Sequence, residues 1–221
     1  MNKYTRKVHN VYEDENHYIL LATGKGIKVI KHGKFIENKM TGYFHNIPVT
    51  CVYQDTGSPG VFWIATHGAG LKRLKNGILT SYTITRGMTS NFIYQLLEGP
   101  QENLWMMSEN GVLRVAKSEL NQLADGQVQR INCVSFGISD GMPTIEFNNS
   151  SSRHSAIKTR EGELWFATMK GIAVVNPGEI IIDKSPPPVI IETVLSNDRP
   201  IPFYRDSKKN RSRCCHGNNN D

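Results

Sequence analysis

A short apolar segment recurs four times along this chain. The copies begin at residues 19, 62, 104 and 164 and read ILLATGKGI, FWIATHGAGL, LWMMSENGV and LWFATMKGI. The three tryptophans of the chain occupy one position of this repeat, which is leucine in the first copy; these residues are Leu20, Trp63, Trp105 and Trp165. A small repeated unit cannot bury its apolar face alone, so the copies must stack on one another.

The spacing and composition of the copies distinguish between repeat architectures. Positions 20, 63, 105 and 165 are separated by 43, 42 and 60 residues, and a period in the low forties is typical of propeller blades and of some helical solenoids. Each copy is an apolar strand that follows a polar turn and ends in a glycine-containing turn before a second strand. The sequence therefore predicts an all-β fold in which each repeat forms one blade of a β-propeller.

The repeated residues are interpreted as structural. The tryptophan or leucine offers a large apolar face for packing between sheets, the threonine or serine can satisfy a buried backbone group, and the glycine permits a left-handed turn. None of them is arranged as a nucleophile, acid or base. The predicted anchors are Leu20, Trp63, Trp105, Trp165, Thr23, Thr66, Ser108, Thr168, Gly26, Gly70, Gly111 and Gly171.

The repeats resemble those of the two-component regulator propeller family, which forms the sensor regions of bacterial one-piece and hybrid two-component receptors. That family repeats an Asp-x-x-Gly-x-Leu-Trp-h-x-Thr-x-x-Gly-Leu pattern. The residues that match it in the second copy are Asp55, Trp63, Thr66, Gly70 and Leu71. Residues 160–172 match it again, and the resemblance continues through an Asp-Gly and Glu-Phe-Asn stretch at residues 140–148 to residues 174–191.

The resemblance implies a propeller part at residues 1–184. It would hold about four blades of a ring that has seven in the family, with the last blade at about residues 145–177. The long third interval implies an insertion at about residues 116–136, which is expected to contain a short helix with Ser118 as its N-cap and then a strand at residues 128–136. On this interpretation the chain is an open arc, a fragment of a larger sensor kinase.

The C-terminal part reads differently from the repeats. Residues 185–204 are predicted to form a proline-rich linker and the first strand of a truncated Ig-like β-sandwich, the Y_Y_Y-type domain that follows the propeller in the family. From Arg205 the apolar alternation ends. Residues 205–221 are therefore predicted to be a disordered basic tail.

Charge and hydropathy argue against several classes of protein. Three of the six net positive charges lie in the tail, and the others are scattered, so a nucleic-acid partner is not indicated. No apolar run approaches the roughly 18 residues that cross a bilayer, and no signal peptide is recognisable at the start. Cys51 and Cys133 are expected to be small buried residues. Residues 214–216, Cys-Cys-His, lack the second ligand pair of a zinc site.

The leading functional hypothesis is a non-catalytic sensor module with no cofactor or metal. By resemblance it would be periplasmic, bind a small molecule or carbohydrate, form a homodimer within the full receptor, and signal to a histidine kinase or other output outside these residues. Surface loops at residues 39–46, 85–91 and 140–152 are the places to look for contacts. No single ligand-binding residue is predicted.

Two alternatives remain open at this stage. One is a stand-alone propeller that acts as a protein-interaction scaffold. The other is a propeller lyase or glycosidase, for which His67, Glu109 and Lys170 occupy equivalent turns after the repeat strand. These three residues differ in type from copy to copy, which disfavours a shared catalytic role.

Overall fold

The computed structural model describes residues 7–147 and 155–180 and four short segments of the C-terminal part, residues 193–196, 199–201, 203–205 and 212–214. The chain forms two compact units, Met1–Ile180 and Ile181–Asp221. Among the described residues, none of the helices has the length and apolar character that crossing a membrane requires.

The first unit consists of four successive antiparallel sheets. Blade 1 contains β1 (Val8–Glu13), β2 (Ile19–Thr23), β3 (Gly26–Lys31) and β4 (Lys34–Ile36); blade 2 contains β5 (Val49–Gln54), β6 (Val61–Thr66), β7 (Leu71–Lys75) and β8 (Ile78–Tyr82). Blade 3 contains β9 (Ile93–Glu98), β10 (Asn103–Ser108), β11 (Gly111–Ala116) and β12 (Val134–Phe136), and the described part of blade 4 contains β13 (Ala156–Lys158), β14 (Leu164–Thr168) and β15 (Gly171–Val175). Strands pair in chain order within each sheet.

The four sheets are arranged as propeller blades. The first strands of successive blades pack together, β1 with β5, β5 with β9 and β9 with β13. The prediction of an all-β propeller with four blades in this chain is therefore confirmed.

Neighbouring blades pack through opposite faces of their sheets. The repeat tryptophan or leucine and the residue two positions later point toward the following blade, a surface called here the forward face. The residues on either side of the tryptophan point toward the preceding blade and belong to the back face. Three buried apolar clusters join each forward face to the next back face. Their members include Leu20, Val29 and Ile64 between blades 1 and 2, Trp63, Leu96 and Met106 between blades 2 and 3, and Trp105, Leu164 and Phe166 between blades 3 and 4.

A polar contact repeats between the first strands of successive blades. Val52 N–H donates to Oδ1 of Asn10 (3.1 Å), and Ala156 N–H donates to Oε1 of Gln95 (3.1 Å). At the equivalent position of blade 2 the thiol of Cys51 is contacted by the backbone N–H of Leu96, while burial raises the pKa of that thiol to about 11. In each of blades 1–3, one side chain therefore accepts a backbone hydrogen bond from the next blade.

The repeat threonine or serine closes the turn between the second and third strands of each blade. Its hydroxyl donates to the carbonyl of the turn glycine in all four blades; the pairs are Thr23 with Gly26, Thr66 with Gly70, Ser108 with Gly111 and Thr168 with Gly171, at 2.6–2.9 Å. In the second blade both the backbone conformation and the lack of space require glycine at this position. Gly70 has φ +75°, and a Cβ there would lie 2.1 Å from the carbonyl oxygen of Tyr82.

The insertion between β11 and β12 contains helix α2 (Lys117–Ala124). The prediction that Ser118 caps it is wrong. The N-cap is Ala116, which has no side-chain hydrogen bond, because the helix starts directly from the end of β11. The strand predicted at residues 128–136 is limited to β12 (Val134–Phe136). The preceding residues instead cover blade 2, where Ile131 joins the buried cluster.

The second unit contains two described hairpins. β16 (Val194–Ser196) pairs with β17 (Arg199–Ile201), and β18 (Phe203–Arg205) pairs with β19 (Ser212–Cys214), both antiparallel. Most of the predicted linker, Ig-like strand and basic tail lies outside the described residues. The domain assignments for residues 185–204 and 205–221 stay predictions.

Candidate functional site

An open cavity of about 490 Å³ lies between blades 1 and 2, at the end of the sheets where first strands turn into second strands. Its volume falls in the range of small-molecule sites, roughly 300–1,000 Å³. The lining residues are Tyr12, Glu13, Asp14, Glu15, His17, Gln54, Asp55, Thr56 and Pro59. Four carboxylates, an amide and two aromatic side chains therefore surround one space.

Two of these carboxylates also hold the turns that shape the cavity. Oδ1 of Asp14 accepts the backbone N–H groups of Asn16 and Tyr18 at 2.9 and 2.8 Å. Asp55 accepts the indole N–H of Trp63 through Oδ2 (2.7 Å). Such local bonds fix aspartate in a turn, so the positions of both carboxylates are set before any ligand arrives.

Two reciprocal hydrogen bonds connect blades 1 and 2 at the cavity. Nε2 of Gln54 donates to Glu15 (2.7 Å), and the backbone N–H of Glu15 donates to Oε1 of Gln54 (3.1 Å). Glu13 is exposed and contacts Nδ1 of His17 at 2.8 Å. Glu13 and Glu15 are therefore the carboxylates of the cavity that a ligand can reach from solvent.

A buried ionic cluster lies behind this cavity, between blades 2 and 3. Nζ of Lys117, at the start of α2, binds Asp55 at 3.1 Å, Glu102 at 2.8 Å and also Glu98. The side chain of Lys117 is 3% exposed and that of Asp55 is 4% exposed. Burial of charge is costly unless the charges are paired, and here one cation is shared by three carboxylates.

The pKa shifts in the cluster follow from this pairing. Burial acts to lower the pKa of Lys117, but hydrogen bonds to Glu102, Glu98 and Asp55 outweigh it and raise the pKa above its usual value. Burial acts to raise the pKa of Glu98, but donors from Lys117, Thr56 and Tyr53 lower it below its usual value. The pKa of Tyr53 is raised by burial and by its bond to Glu98. Lys117 and Glu98 are therefore both ionised near neutral pH.

The cavity and the cluster share Asp55, and together they place more negative than positive charge at this end of the propeller. Carboxylates accept hydrogen bonds only, so this surface suits ligands that present hydroxyl or ammonium donors. The described side chains of this surface make no nucleophile–base pair with a third orienting group, which acyl transfer through a triad would need.

The residues considered for a catalytic role lie at the opposite end of the sheets. The ring of His67 packs edge-on against Phe92 at 4.9 Å, Glu109 accepts from Ser90 at 3.0 Å, and the backbone N–H of Lys170 donates to Thr168. Each of the three therefore makes a different contact, with Phe92, Ser90 or Thr168.

The three loops named from the sequence have defined local structure where they are described. Residues 39–46 contain α1 (Lys39–Tyr43), which Asn38 and Thr41 cap reciprocally. Residues 85–91 begin in a short 3-10 turn (Ile84–Arg86), and a second such turn (Ile138–Asp140) precedes the third loop. Residues 148–152 of that loop lie outside the described residues.

Sequence reasoning missed the residues that form the cavity and the cluster. Lys117 and Asp55 are 62 positions apart, and only Asp55 belongs to the repeat. Glu98 and Glu102 look like ordinary turn acids. A lysine placed directly after the third strand of a blade, where the helical insertion starts, is the one signal that could have indicated a buried partner.

Searches by sequence give no assignment: the chain matches no protein-family model and no curated protein. Its structure is similar to the extracellular domain of BT4673 from B. thetaiotaomicron, described as a hybrid two component system, with a TM-score of 0.58 and 17% identity over 97% of this chain and 31% of that one. Another structure of that domain, described as belonging to a one component system, gives 0.55 and 18%, covering 96% and 30%. At this level of identity the similarity shows a shared fold.

Two further structures extend the comparison. The extracellular domain of the hybrid two component system BT3049 of the same organism gives a TM-score of 0.58 and 16% identity over 84% of this chain and 23% of that one. The WD40 β-propeller domain of Doa1 gives 0.51 and 17%, covering 76% and 49%. The chain spans less than a third of the B. thetaiotaomicron domains it matches. The resemblance drawn from the repeat motif agrees with these neighbours.

Proposed function

We propose that this chain is a non-catalytic ligand-recognition module of a bacterial signal-transduction receptor, acting in the periplasm as part of a larger receptor. The observation that supports it best is the similarity to extracellular domains of two-component systems along nearly the whole chain. A histidine kinase or other output would belong to another part of that receptor. A homodimer of the full receptor, as the family resemblance implies, is part of this proposal.

The cavity between blades 1 and 2 is the proposed recognition site. It lies on strand-anchored turns, and Glu13 and Glu15 present acceptors to solvent beside the ring of Tyr12. Carboxylates beside an aromatic ring suit a polar ligand with several hydroxyl or amine groups, such as an oligosaccharide or amino sugar. The turns are fixed by Asp14 and Asp55, so binding requires little rearrangement of the backbone.

Thermal-shift measurements with neutral oligosaccharides, amino sugars and polyamines test this assignment. A ligand at 100 times its Kd adds about 2.7 kcal/mol to stability, which for a chain of this size is a Tm rise of roughly 5–11 °C. The rise should disappear in Glu13→Gln/Glu15→Gln and persist in Glu161→Gln, which changes an exposed acid in the corresponding turn of blade 4.

Three results would count against the proposal. One is the absence of any shift across the panel, and another is a shift that persists in the double variant. The third is release of new products from a saccharide during incubation, which would favour the glycosidase or lyase alternative.

A further inference from the structure

The junction between blades 2 and 3 holds an ammonium group that the chain itself supplies. Nζ of Lys117 binds Asp55, which follows the first strand of blade 2, and Glu98, which ends the first strand of blade 3. Glu102, in the turn after that strand, is the third carboxylate. The junction therefore shows which positions of two successive blades can bind an ammonium group.

The junction between blades 1 and 2 has polar side chains at the same positions. By strand register, Asp14 corresponds to Asp55. By the same register, Gln54 corresponds to Glu98. Asp14 and Gln54 line the cavity of about 490 Å³, and Glu15 adds a carboxylate that is bonded to Gln54. The cavity therefore corresponds to the place that a lysine side chain fills in the next junction.

Asp14 has one carboxylate oxygen that the turn does not use. Oδ1 accepts two backbone N–H groups, whereas Oδ2 has no donor among the described residues. In blade 2, Oδ2 of Asp55 accepts the indole N–H of Trp63, but blade 1 has Leu20 at that position, which cannot donate. Asp14 is 9% exposed, yet its Oδ2 is not one of the fully enclosed polar atoms of the described residues. This oxygen is therefore open to the cavity that Asp14 lines.

Asp14 and its neighbours also differ from the cluster in their charge balance. Within the described part of the chain, no lysine or arginine forms a salt bridge with Glu13, Asp14 or Glu15. Glu13 contacts His17, whose side chain is 86% exposed. A carboxylate with little exposure is costly unless it is paired. A ligand that carries an ammonium group would give Asp14 the pairing that Asp55 already has.

We infer that this cavity recognises a primary ammonium group and that Oδ2 of Asp14 binds it, as Asp55 binds Lys117. The inference rests on the proposed recognition role and narrows its ligands to amines. An ammonium group has three donors, which Asp14 can share with Glu13 and Glu15. Hydrogen bonds between charged groups are about twice as strong as neutral ones, so the site should prefer an amine to a hydroxyl compound of the same shape.

Isothermal titration calorimetry of the full chain with matched ligands tests the ligand class. A glucosamine trimer, its N-acetylated form and cellotriose carry an ammonium, an acetamide or a hydroxyl group at the same carbon. Cadaverine and the corresponding diol make the same comparison on an alkyl chain that resembles lysine. At mildly acidic pH, where the amines are charged, we expect an ammonium ligand to bind at least about tenfold more tightly than its neutral counterparts. Binding of the trimer alone indicates an amino sugar, and binding of cadaverine alone indicates an alkyl amine.

Asp14→Asn tests the residue. The amide keeps an oxygen for the two N–H groups of the turn but removes the charge, so the Kd of the ammonium ligand should rise at least about tenfold. Asp140→Asn is the matched control, because Asp140 accepts the N–H of Gly137 (2.8 Å) in a turn outside the cavity, and it should bind as the wild type does. Circular dichroism checks that both variants are folded. In the wild-type protein, the same ligand should also shift the amide NMR resonances of Asn16 and Tyr18, whose N–H groups bond to Asp14, so Asp14 is tested even if its variant does not fold.

The outcomes separate this inference from the recognition role. Equal affinity for the charged and neutral members of a set overturns the inference, and so does ammonium binding that Asp14→Asn leaves unchanged or that does not shift the two amide resonances. If the binding in these cases is lost in Glu13→Gln/Glu15→Gln, the recognition role stands without the inference. If none of the ligands binds, both are overturned.

Discussion

Removing the buried cation from the cluster between blades 2 and 3 should be strongly destabilising. In Lys117→Met the side chain keeps its length, but the carboxylates of Asp55 and Glu98 lose the charge that they share. Loss of one partner from a buried ion pair costs about 3–5 kcal/mol. Asp55 keeps the indole N–H of Trp63, and Glu98 keeps the hydroxyls of Tyr53 and Thr56. These donors place the expected loss at the lower end, about 3 kcal/mol.

Chemical denaturation at neutral pH measures this loss as a change in the free energy of unfolding. A loss of about 3 kcal/mol corresponds to a decrease in Tm of roughly 6–12 °C for a chain of this length. Lys34→Met is the matched control, because Lys34 is exposed on β4, and it should change stability by less than about 0.5 kcal/mol.

A double variant separates pairing from packing. If the lost energy comes from stranded carboxylates, Lys117→Met/Glu98→Gln should be less destabilised than the sum of the two single variants, with a coupling of at least about 1 kcal/mol. A loss below about 1 kcal/mol in Lys117→Met, or strictly additive effects, would refute the assignment of Lys117 as the charge that holds blades 2 and 3 together.

Other properties of the unit can be tested in the same way. The pKa of Glu98 in the folded protein lies below its usual value of 4.5. Ionised Glu98 therefore contributes to the free energy of unfolding above that pH, and this contribution is lost as the pH falls through the folded pKa. Between pH 7 and pH 3 the free energy of unfolding should decrease less in Glu98→Gln than in the wild-type protein. Gly70→Ala should cost at least about 2 kcal/mol, whereas Gly33→Ala, which has a similar φ but open space, should cost about 1 kcal/mol in the same assay. Gln95→Ala removes the acceptor for the N–H groups of Ser155 and Ala156, and hydrogen exchange at Ala156 should accelerate as stability falls by about 1–3 kcal/mol.

The fold could be predicted because the feature that defines it is repeated. The tryptophan, hydroxyl and glycine of each copy act within a few residues of one another, as the bond from Thr66 to Gly70 shows. One copy therefore contains the information for its own turn, and the spacing of the copies then predicts the blades.

The candidate site could not be predicted in this way, because its contacts join different blades. Gln54 meets Glu15 across 39 positions, and Lys117 meets Asp55 across 62. No local pattern marks such pairs. The start of α2 was misjudged for a related reason: Ser118 has the side chain of a good cap, but β11 continues directly into the helix, so the capping position falls on Ala116.

One blade also departs from the motif in a way that the structure explains. In blade 2 the indole N–H of Trp63 reaches Asp55, and in blade 4 that of Trp165 reaches Glu163 at 2.9 Å. Gly99 stands where blade 3 would carry the acid, and a Cβ there would lie 2.3 Å from Nε1 of Trp105. The ring of Trp105 stacks on Phe136 instead, at 5.5 Å. The absence of the acid therefore goes together with the position of the Trp105 ring, which leaves no room for a side chain at residue 99.

The hydrogen bonds between first strands bear on how such a chain can be lengthened or shuffled. Asn10, Cys51 and Gln95 are chemically unlike, yet each contacts a main-chain N–H of the blade that follows. Every residue except proline has a backbone N–H donor. A duplicated or exchanged blade can therefore donate this hydrogen bond to the preceding blade whichever of these residues stands at the contact. Recombination between blades can therefore preserve this hydrogen bond while the side chains at the contact diverge. Because the donor is a backbone N–H, its position is not marked by any particular residue type in the repeat motif.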